Sequence, residues 1–184
     1  MRDAYTFSDI EDCYGASNLT SGQDGSEPTV KMVTAAPERG NMSNIIPELT
    51  HRGILYSIGH SEATYEDASQ AVAKGATMIT HLFNAMRPLH HRNPGIFGVL
   101  GHADNVTKPF FGIIADGIHL HPTTIKIAFD AHPEGFILVT DAMHLTGLPD
   151  GAYPWTNGDQ EAPSTVVKKG SKLLLENSET IAGR

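Results

Sequence analysis

Short apolar runs alternate with amphipathic segments between residues 30 and 140, and this alternation predicts the fold. The runs are rich in Val, Ile, Leu and Phe, as is typical of strands that are buried on both faces of a sheet. Because helical segments separate them, the strands are expected to lie parallel in one α/β sheet covered by helices. The predicted strands lie near residues 30–35, 54–58, 76–80, 110–115 and 136–140.

The segments between these runs carry start and stop signals for helices. "SNIIPELTHRG" is expected to begin at a Ser43 cap, with Pro47 in its first turn, where a missing N–H does no harm. In "TYEDASQAVAKG", Thr64 and Asp67 form a capping box and Gly75 ends the helix. "PTTIKIAFDAHPEG" has proline at its start, which also favours a helix.

The two ends of the chain differ in character from the middle. "FSDIEDCYG" predicts a short helix with Ser8 as its cap and Glu11 in the capping-box position, followed by a loop rich in Gly, Ser, Asn and Asp. Near "TVVKKGSKLLLE" the alternation predicts a β-hairpin. The predicted division is an N-terminal helix and loop over 1–29, a parallel α/β region over 30–150, and a β-rich segment over 151–184.

Composition narrows the class of protein. The 184 residues are 40% hydrophobic, which is enough for one domain with a core. The net charge of −8 and the lack of a basic run argue against a nucleic-acid partner. A single cysteine, Cys13, and the lack of a long apolar run predict a cytoplasmic protein with no membrane partner.

Polar side chains stand at the ends of four successive predicted strands: His60, His81, His119 and Asp141. In parallel α/β folds the carboxyl ends of the strands meet at one edge, where functional groups collect. Each residue alone is more simply explained as a structural hydrogen-bonding group, and the aspartate as a helix cap. Together, three histidines and one aspartate predict a divalent-metal and acid–base site, with the metal being Zn, Fe, Co or Mn.

Two loops add further candidates. "DGIHLHP" contributes Asp116 and His121, and "LHHRNPG" contributes His90, His91 and Arg92. The two adjacent histidines are most simply loop residues. An arginine beside such a site is a natural clamp for phosphate or carboxylate, although a solvated loop arginine explains it equally well.

The motifs "GHSEATYED", "GATMITHLFNAM", "HHRNPG", "IIADGIHLHP" and "LVTDAM", in this order and spacing, resemble the N-acetylglucosamine-6-phosphate deacetylases of the amidohydrolase superfamily. The resemblance implies a partial metal-dependent-hydrolase (β/α)8 barrel of the TIM type, about five βα units, with a short C-terminal β segment. It also implies a homodimer, a phosphorylated amino sugar as the substrate, and removal of acetate to give glucosamine 6-phosphate.

Residue roles follow from the same resemblance. His60 and His81 are expected as metal ligands, Asp141 as the general base and then acid, and His119 as the group that polarises the amide carbonyl. The expected substrate-binding residues are Asn84, Ala85, Arg92, Asp116, Gly117, Ile118, His119, Ile181, Ala182 and Gly183.

The family's third-strand motif, His-x-Glu-Gly-Pro, is absent from the chain, although its glutamate is a metal ligand in the family. Glu38, in "APE", matches the fourth-strand motif instead. We therefore expect a truncated chain with weak or no deacetylase activity of its own. Two alternatives stay open: a non-catalytic truncated isoform that pairs with or modulates a full-length deacetylase, and a metal-dependent hydrolase of another amide.

Overall fold

The computed structural model describes residues 6–22, 25–103, 107–155, 164–178 and 181–183. The α-helices are α1 (Phe7–Tyr14), α2 (Met42–His51), α3 (Tyr65–Ala73) and α4 (Pro122–Ala131). The strands are β1 (Met32–Ala35), β2 (Leu55–Ile58), β3 (Met78–Ile79), β4 (Phe110–Ile114), β5 (Phe136–Val139), β6 (Gly151–Trp155), β7 (Ser164–Lys169), β8 (Lys172–Leu175) and β9 (Ile181–Gly183). Short 3₁₀ helices lie at Ala16–Leu19, Gly95–Gly101 and Pro133–Gly135.

The first five strands form one sheet in the order β1-β2-β3-β4-β5. The pairs β1–β2, β2–β3 and β3–β4 are parallel, so the prediction of a parallel α/β sheet is confirmed. The sequential order is the one a (β/α) barrel requires, whereas doubly wound folds reverse direction partway. In the described residues the sheet is open, and a closed barrel is not formed.

Two predicted helix starts are wrong, for local reasons. The N-cap of α1 is Thr6, paired with Asp9 in a capping box, rather than Ser8 with Glu11. Helix α2 begins at Met42, so Pro47 lies inside the helix and not in its first turn. Burial explains the second shift, because Met42 joins the buried face of α2. The predicted box of Thr64 and Asp67 on α3 is confirmed.

By their contacts the residues group into two compact units: 1–113 with 123–137, and 114–122 with 138–184. The core of the first unit lies between strands and helices. Strand side chains such as Tyr56, Ile79 and Phe111 are completely buried, as is Ile46 of α2. The hydroxyl of Tyr56 donates to the carbonyl oxygen of Ala35 at 3.0 Å, which satisfies the buried phenol. The predicted division at residues 30 and 151 stays a prediction.

The starts of the strands leave an apolar surface open. Met32, Leu55 and Phe110 are about half exposed (45%, 47% and 51%), and each is the first residue of a strand and is followed by a buried one. They line a groove of about 600 Å³, here called the apolar groove, formed by Met32, Leu55, Thr77, Met78, Phe110 and Ile137. An apolar groove of this kind is a candidate for contact with another chain.

The second unit contains an antiparallel sheet in the order β6-β7-β8-β9. The predicted hairpin is confirmed: β7 and β8 pair around Gly170 and Ser171, and Gly170 has a φ of 58° that glycine adopts without strain. Leu145, Val166 and Leu173 form the core of this unit, with Met143, Tyr153 and Trp155 packed against them.

In the described part of the chain, the helices are too short or too polar to span a lipid bilayer.

Candidate active site

His60 and His81 face each other through their Nε2 atoms, 3.0 Å apart, with ring planes inclined at 71°. Each histidine lies two residues beyond the end of its strand, β2 or β3, and these strands are neighbours in the sheet. His81 is 8% exposed, and its Nδ1 is buried without a hydrogen-bond partner among the described residues. The strand-end pattern predicted a site of four side chains, and the structure brings these two of the four into contact.

This pair suits a metal ion as two of its ligands. Two imidazole nitrogens bound to one tetrahedral zinc lie about 3.3 Å apart, given bonds of about 2.0–2.1 Å. The observed separation of 3.0 Å is close to that value, and it also places the two nitrogens within hydrogen-bond distance of each other. A group of three or more His, Cys, Asp or Glu side chains able to hold a metal is not found among the described residues. The two histidines therefore offer two donor nitrogens, and among the described residues no third His, Cys, Asp or Glu completes a metal-binding group with them.

Backbone strain is concentrated around the same two strand ends. His60, His81, Phe83 and Ala85 have φ values of 49°, 28°, 76° and 49°, in the left-handed region that side chains with a Cβ rarely adopt. Such residues cost of order 1 kcal/mol or more each and persist where the surrounding structure enforces them, often at functional sites. The strain makes the ends of β2 and β3 candidates for a functional site.

Beneath the histidine pair, hydroxyl groups cross the sheet. Ser57 and Thr80 are hydrogen-bonded at 2.6 Å, and Thr80 contacts Thr34 at 3.2 Å. Gly59, directly before His60, lies between these groups: a Cβ there would come within 2.8 Å of both Thr34 and Thr80. Glycine at this position therefore permits the close packing that places His60 at the strand end.

Glu38 fixes the loop that follows His60. Its two carboxylate oxygens accept hydrogen bonds from the Ser61 hydroxyl and the Glu62 backbone N–H, both at 2.7 Å. Ser61 is buried, and its own N–H donates to the carbonyl oxygen of Ala85 at 3.0 Å. Glu38 thus ties the segment after β1 to the loop after β2, and Ser61 in turn ties that loop to the loop after β3. This role was not predicted from the sequence. The only signal for it in the sequence is an acidic residue shortly after β1.

Replacing Glu38 by alanine is expected to lower the free energy of unfolding by about 1–3 kcal/mol, because it leaves the Ser61 hydroxyl and the Glu62 N–H without their acceptor. Urea unfolding followed by circular dichroism measures this. Glu66→Ala is the matched control, since Glu66 is exposed on α3. Equal midpoints for the two variants would contradict the role given to Glu38.

Backbone hydrogen bonds to His81 and to Gly112 anchor the loop from Leu82 to Met86. The N–H of Asn84 donates to the carbonyl oxygen of His81 at 3.0 Å, and the N–H of Leu82 donates to that of Gly112 at 2.9 Å. Leu82 is fully buried, which explains why an apolar residue follows His81. Asn84 and Ala85, both predicted to bind substrate, lie in this loop beside the histidine pair.

In the second unit, Asp116 and His119 form a pair within one turn. Asp116 Oδ2 lies 2.8 Å from His119 Nδ1, while Oδ1 accepts the backbone N–H groups of Ile118 and His119 at 2.8 and 2.9 Å. The side chains of His119 and Asp116 are 8% and 2% exposed. The turn also contains Gly117, whose φ of 71° lets the chain fold back on the carboxylate.

The contacts of Asp116 make stability depend on pH. Burial raises the pKa of this carboxyl, but the N–H groups of His119 and Ile118 and the His119 ring lower it, and the net pKa is below the ordinary 3.8. Because the folded pKa is the lower one, the stabilisation is present above pH 3.8 and is lost as pH falls through the folded pKa. In urea unfolding, the midpoint difference between wild type and Asp116→Asn should be constant near neutrality and narrow in strong acid. A difference that does not change with pH would refute this.

The chain spans about 38% of the length of the curated relatives it matches. A search against protein-family models found no match. The sequence is 51% identical over 162 residues to N-acetylglucosamine-6-phosphate deacetylase from Danio rerio, covering 86% of this chain and 38% of that one. It is 46% identical over 157 residues to the human protein of that name, covering 84% and 37%.

Solved structures agree. A Mycobacterium smegmatis N-acetyl-D-glucosamine-6-phosphate deacetylase variant, in complex with N-acetyl-D-glucosamine-6-phosphate, matches with a TM-score of 0.74 and 35% identity over 87% of this chain and 40% of that one. The Thermotoga maritima deacetylase matches with a TM-score of 0.70 and 32% identity over 92% and 47%. The chain is homologous to part of the N-acetylglucosamine-6-phosphate deacetylases.

The remaining predicted deacetylase residues lie in exposed or edge positions. Arg92, in the loop before Gly95–Gly101, contacts the His91 ring at 3.0 Å through its guanidinium. Asp141 is exposed, two residues beyond β5, with a φ of 50°. Ile181, Ala182 and Gly183 form β9, which pairs with β8. The roles predicted for all the deacetylase site residues, including His119 and Asp116, stay predictions.

Proposed function

We propose that this chain carries the metal-binding histidines and the sugar-phosphate loops of an N-acetylglucosamine-6-phosphate deacetylase, arranged as part of a (β/α)8 barrel. The observation that carries the proposal is the convergence of the His60 and His81 Nε2 atoms at 3.0 Å on adjacent strand ends. Homology over most of the chain to proteins of that name supports the choice of reaction. A cytoplasmic location and a homodimer belong to the same proposal.

In the proposed reaction, a bound divalent ion would supply Lewis-acid activation of water and of the amide oxygen. The chain's own residues do the rest. Asp141 takes a proton from the attacking water and returns it to the amide nitrogen, because an amine leaves only when it is protonated. His119 stabilises the developing oxyanion. Asn84, Ala85 and Arg92 hold the phosphate end of the sugar.

The phosphate contact offers the sharpest test. Isothermal titration calorimetry measures the binding of N-acetylglucosamine 6-phosphate and of N-acetylglucosamine to the purified chain. The phosphorylated sugar should bind about tenfold more tightly, because its phosphate makes one additional charge-assisted contact. Arg92→Met should remove most of that difference, and Arg39→Met, an exposed arginine just past β1, should keep it. Equal binding of the two sugars by wild type would overturn the proposal and favour hydrolysis of a different amide.

Acetate release by the chain supplied with Zn²⁺, Fe²⁺, Co²⁺ or Mn²⁺ is expected to be slow. The described residues bring only two of the proposed metal ligands together, and a weakly held ion activates water poorly. Full turnover with one tightly bound metal ion per chain would contradict this part of the proposal.

A second candidate function is favoured by the apolar groove: pairing with a full-length homologous deacetylase, whose activity the chain would modulate. Co-elution of the two proteins in size-exclusion chromatography tests it. Phe110→Asp should abolish co-elution, because Phe110 lines the groove and is 51% exposed. Ile127→Asp, on α4 and 52% exposed but outside the groove, should not. Separate elution of the wild-type chain and the deacetylase would exclude this function.

A further inference from the structure

Asp116 and His119 form a buried pair of titratable side chains within one turn of the second unit, and the side chains are 2% and 8% exposed. Both oxygens of the carboxylate are engaged. Oδ1 accepts two backbone N–H groups, from Ile118 and His119, and Oδ2 lies 2.8 Å from His119 Nδ1. The backbone donors fix the plane of the carboxylate, so the histidine ring is oriented by a group that cannot itself turn.

We propose that Asp116 is a positioning residue that holds the proton of neutral His119 on Nδ1, leaving Nε2 as the atom that acts on a ligand. An ionised carboxylate has no hydrogen to donate, so a hydrogen bond at 2.8 Å requires the imidazole nitrogen to be the donor. The reverse arrangement needs a protonated Asp116. The two backbone N–H groups on Oδ1 oppose it, because they stabilise the charged form.

This assignment determines what His119 can do at its other nitrogen. With the proton on Nδ1, a neutral ring presents a lone pair at Nε2, which accepts a hydrogen bond from a hydroxyl group or water. Donation from Nε2 to a carbonyl oxygen requires the imidazolium, whose positive charge Asp116 balances. Resting on the proposed function, the inference therefore sharpens it: His119 acts on the acetamide group through Nε2, and Asp116 holds the ring so that this nitrogen is the free one.

The asparagine variant is expected to reverse the direction of the hydrogen bond between residue 116 and His119 Nδ1. In Asp116→Asn, the side-chain oxygen is expected to keep the two backbone N–H groups, since it is the only acceptor that the amide offers. The amide NH₂ then faces Nδ1 and donates to it, which drives the proton of neutral His119 to Nε2. The variant thus preserves shape and reverses the hydrogen bond. A merely structural role for Asp116 would not predict a change of tautomer.

Long-range ¹H–¹⁵N correlation spectra of the full chain, labelled with ¹⁵N-histidine, test this at about pH 8.5, two units above the ordinary imidazole pKa of about 6.5. His119→Gln identifies the His119 signals by their loss. In wild type the Nδ1–H tautomer should exceed Nε2–H by about tenfold or more, as a charge-assisted hydrogen bond implies. In Asp116→Asn the ratio should invert. Asp130→Asn, which changes an exposed carboxylate paired with Lys126 on α4, should leave the His119 signals unchanged.

A wild-type chain whose His119 is predominantly Nε2–H would overturn the assignment, whether or not the variant folds. Retention of the Nδ1–H form in a folded Asp116→Asn chain would overturn it as well. The measurement uses neither sugar nor metal, so its failure is distinct from failure of the deacetylase proposal.

Discussion

Replacing His81 by alanine is expected to lower the affinity of the chain for Zn²⁺ by at least about tenfold, because it removes one of the two paired imidazole nitrogens and loss of an outer-shell partner alone costs about that much. His60→Ala should have a similar effect, and the double variant should lose little more than either single one, since one imidazole alone holds zinc weakly. Competition with a chromophoric chelator measures the dissociation constants directly and requires no catalytic activity.

The control for this experiment is His51→Ala. His51 is an exposed histidine in the last turn of α2, so its removal changes the histidine count without touching the pair. Additive losses in the double variant, or a loss in His51→Ala as large as in His81→Ala, would show that zinc binds to scattered surface histidines instead.

Replacing Phe111 by alanine is expected to cost about 3–5 kcal/mol of unfolding free energy. Phe111 is fully buried in β4 and packs edge-on against Phe136 at 5.6 Å between ring centroids, so truncation leaves a cavity between strand neighbours. The midpoint of urea unfolding, followed by circular dichroism, measures the loss. A loss under about 1 kcal/mol would mean that the sheet core described above does not form in solution.

The adjacent residue gives a matched control with its own information. Phe110 lies one position earlier in β4 and is 51% exposed at the apolar groove, so Phe110→Ala should cost less than about 1 kcal/mol in the isolated chain. A loss that grows with protein concentration would indicate that another chain covers the groove, since association stabilises the folded state by mass action.

The sequence predicted the strands well because their apolar runs end at clear signals. Strands β2, β4 and β5 lie within the predicted ranges, since each run is bounded by glycine, proline or a polar residue. Strand β3 is shorter than predicted, only Met78 and Ile79, although the backbones of Thr77 and Thr80 still bond the neighbouring segments. The hydroxyl of Thr80 is also bonded to Ser57.

The errors have a common physical origin. The helix start at Met42 could not be read from local signals, because Ser43 is as good a cap as Asn41, and burial of Met42 decided between them. The role of Glu38 was missed for the same reason: its partners lie 23 and 24 residues away and are brought close only by the pairing of β1 with β2. Sequence spacing predicted that His60 and His81 meet, because strand ends are fixed by the sheet, but not the tethers that hold their loops.

The left-handed conformation of Ala85 has a practical consequence for anyone engineering this chain. At a φ of 49° the Cβ of alanine is sterically strained, and glycine would not have this strain. Ala85→Gly would relieve this strain in the folded state, but glycine also increases the conformational entropy of the unfolded chain. The free energy of unfolding would rise only if the first effect is the larger. The same substitution would make the segment that contains Asn84 more flexible. A gain in stability at residue 85 would then be accompanied by weaker binding of a ligand at Asn84.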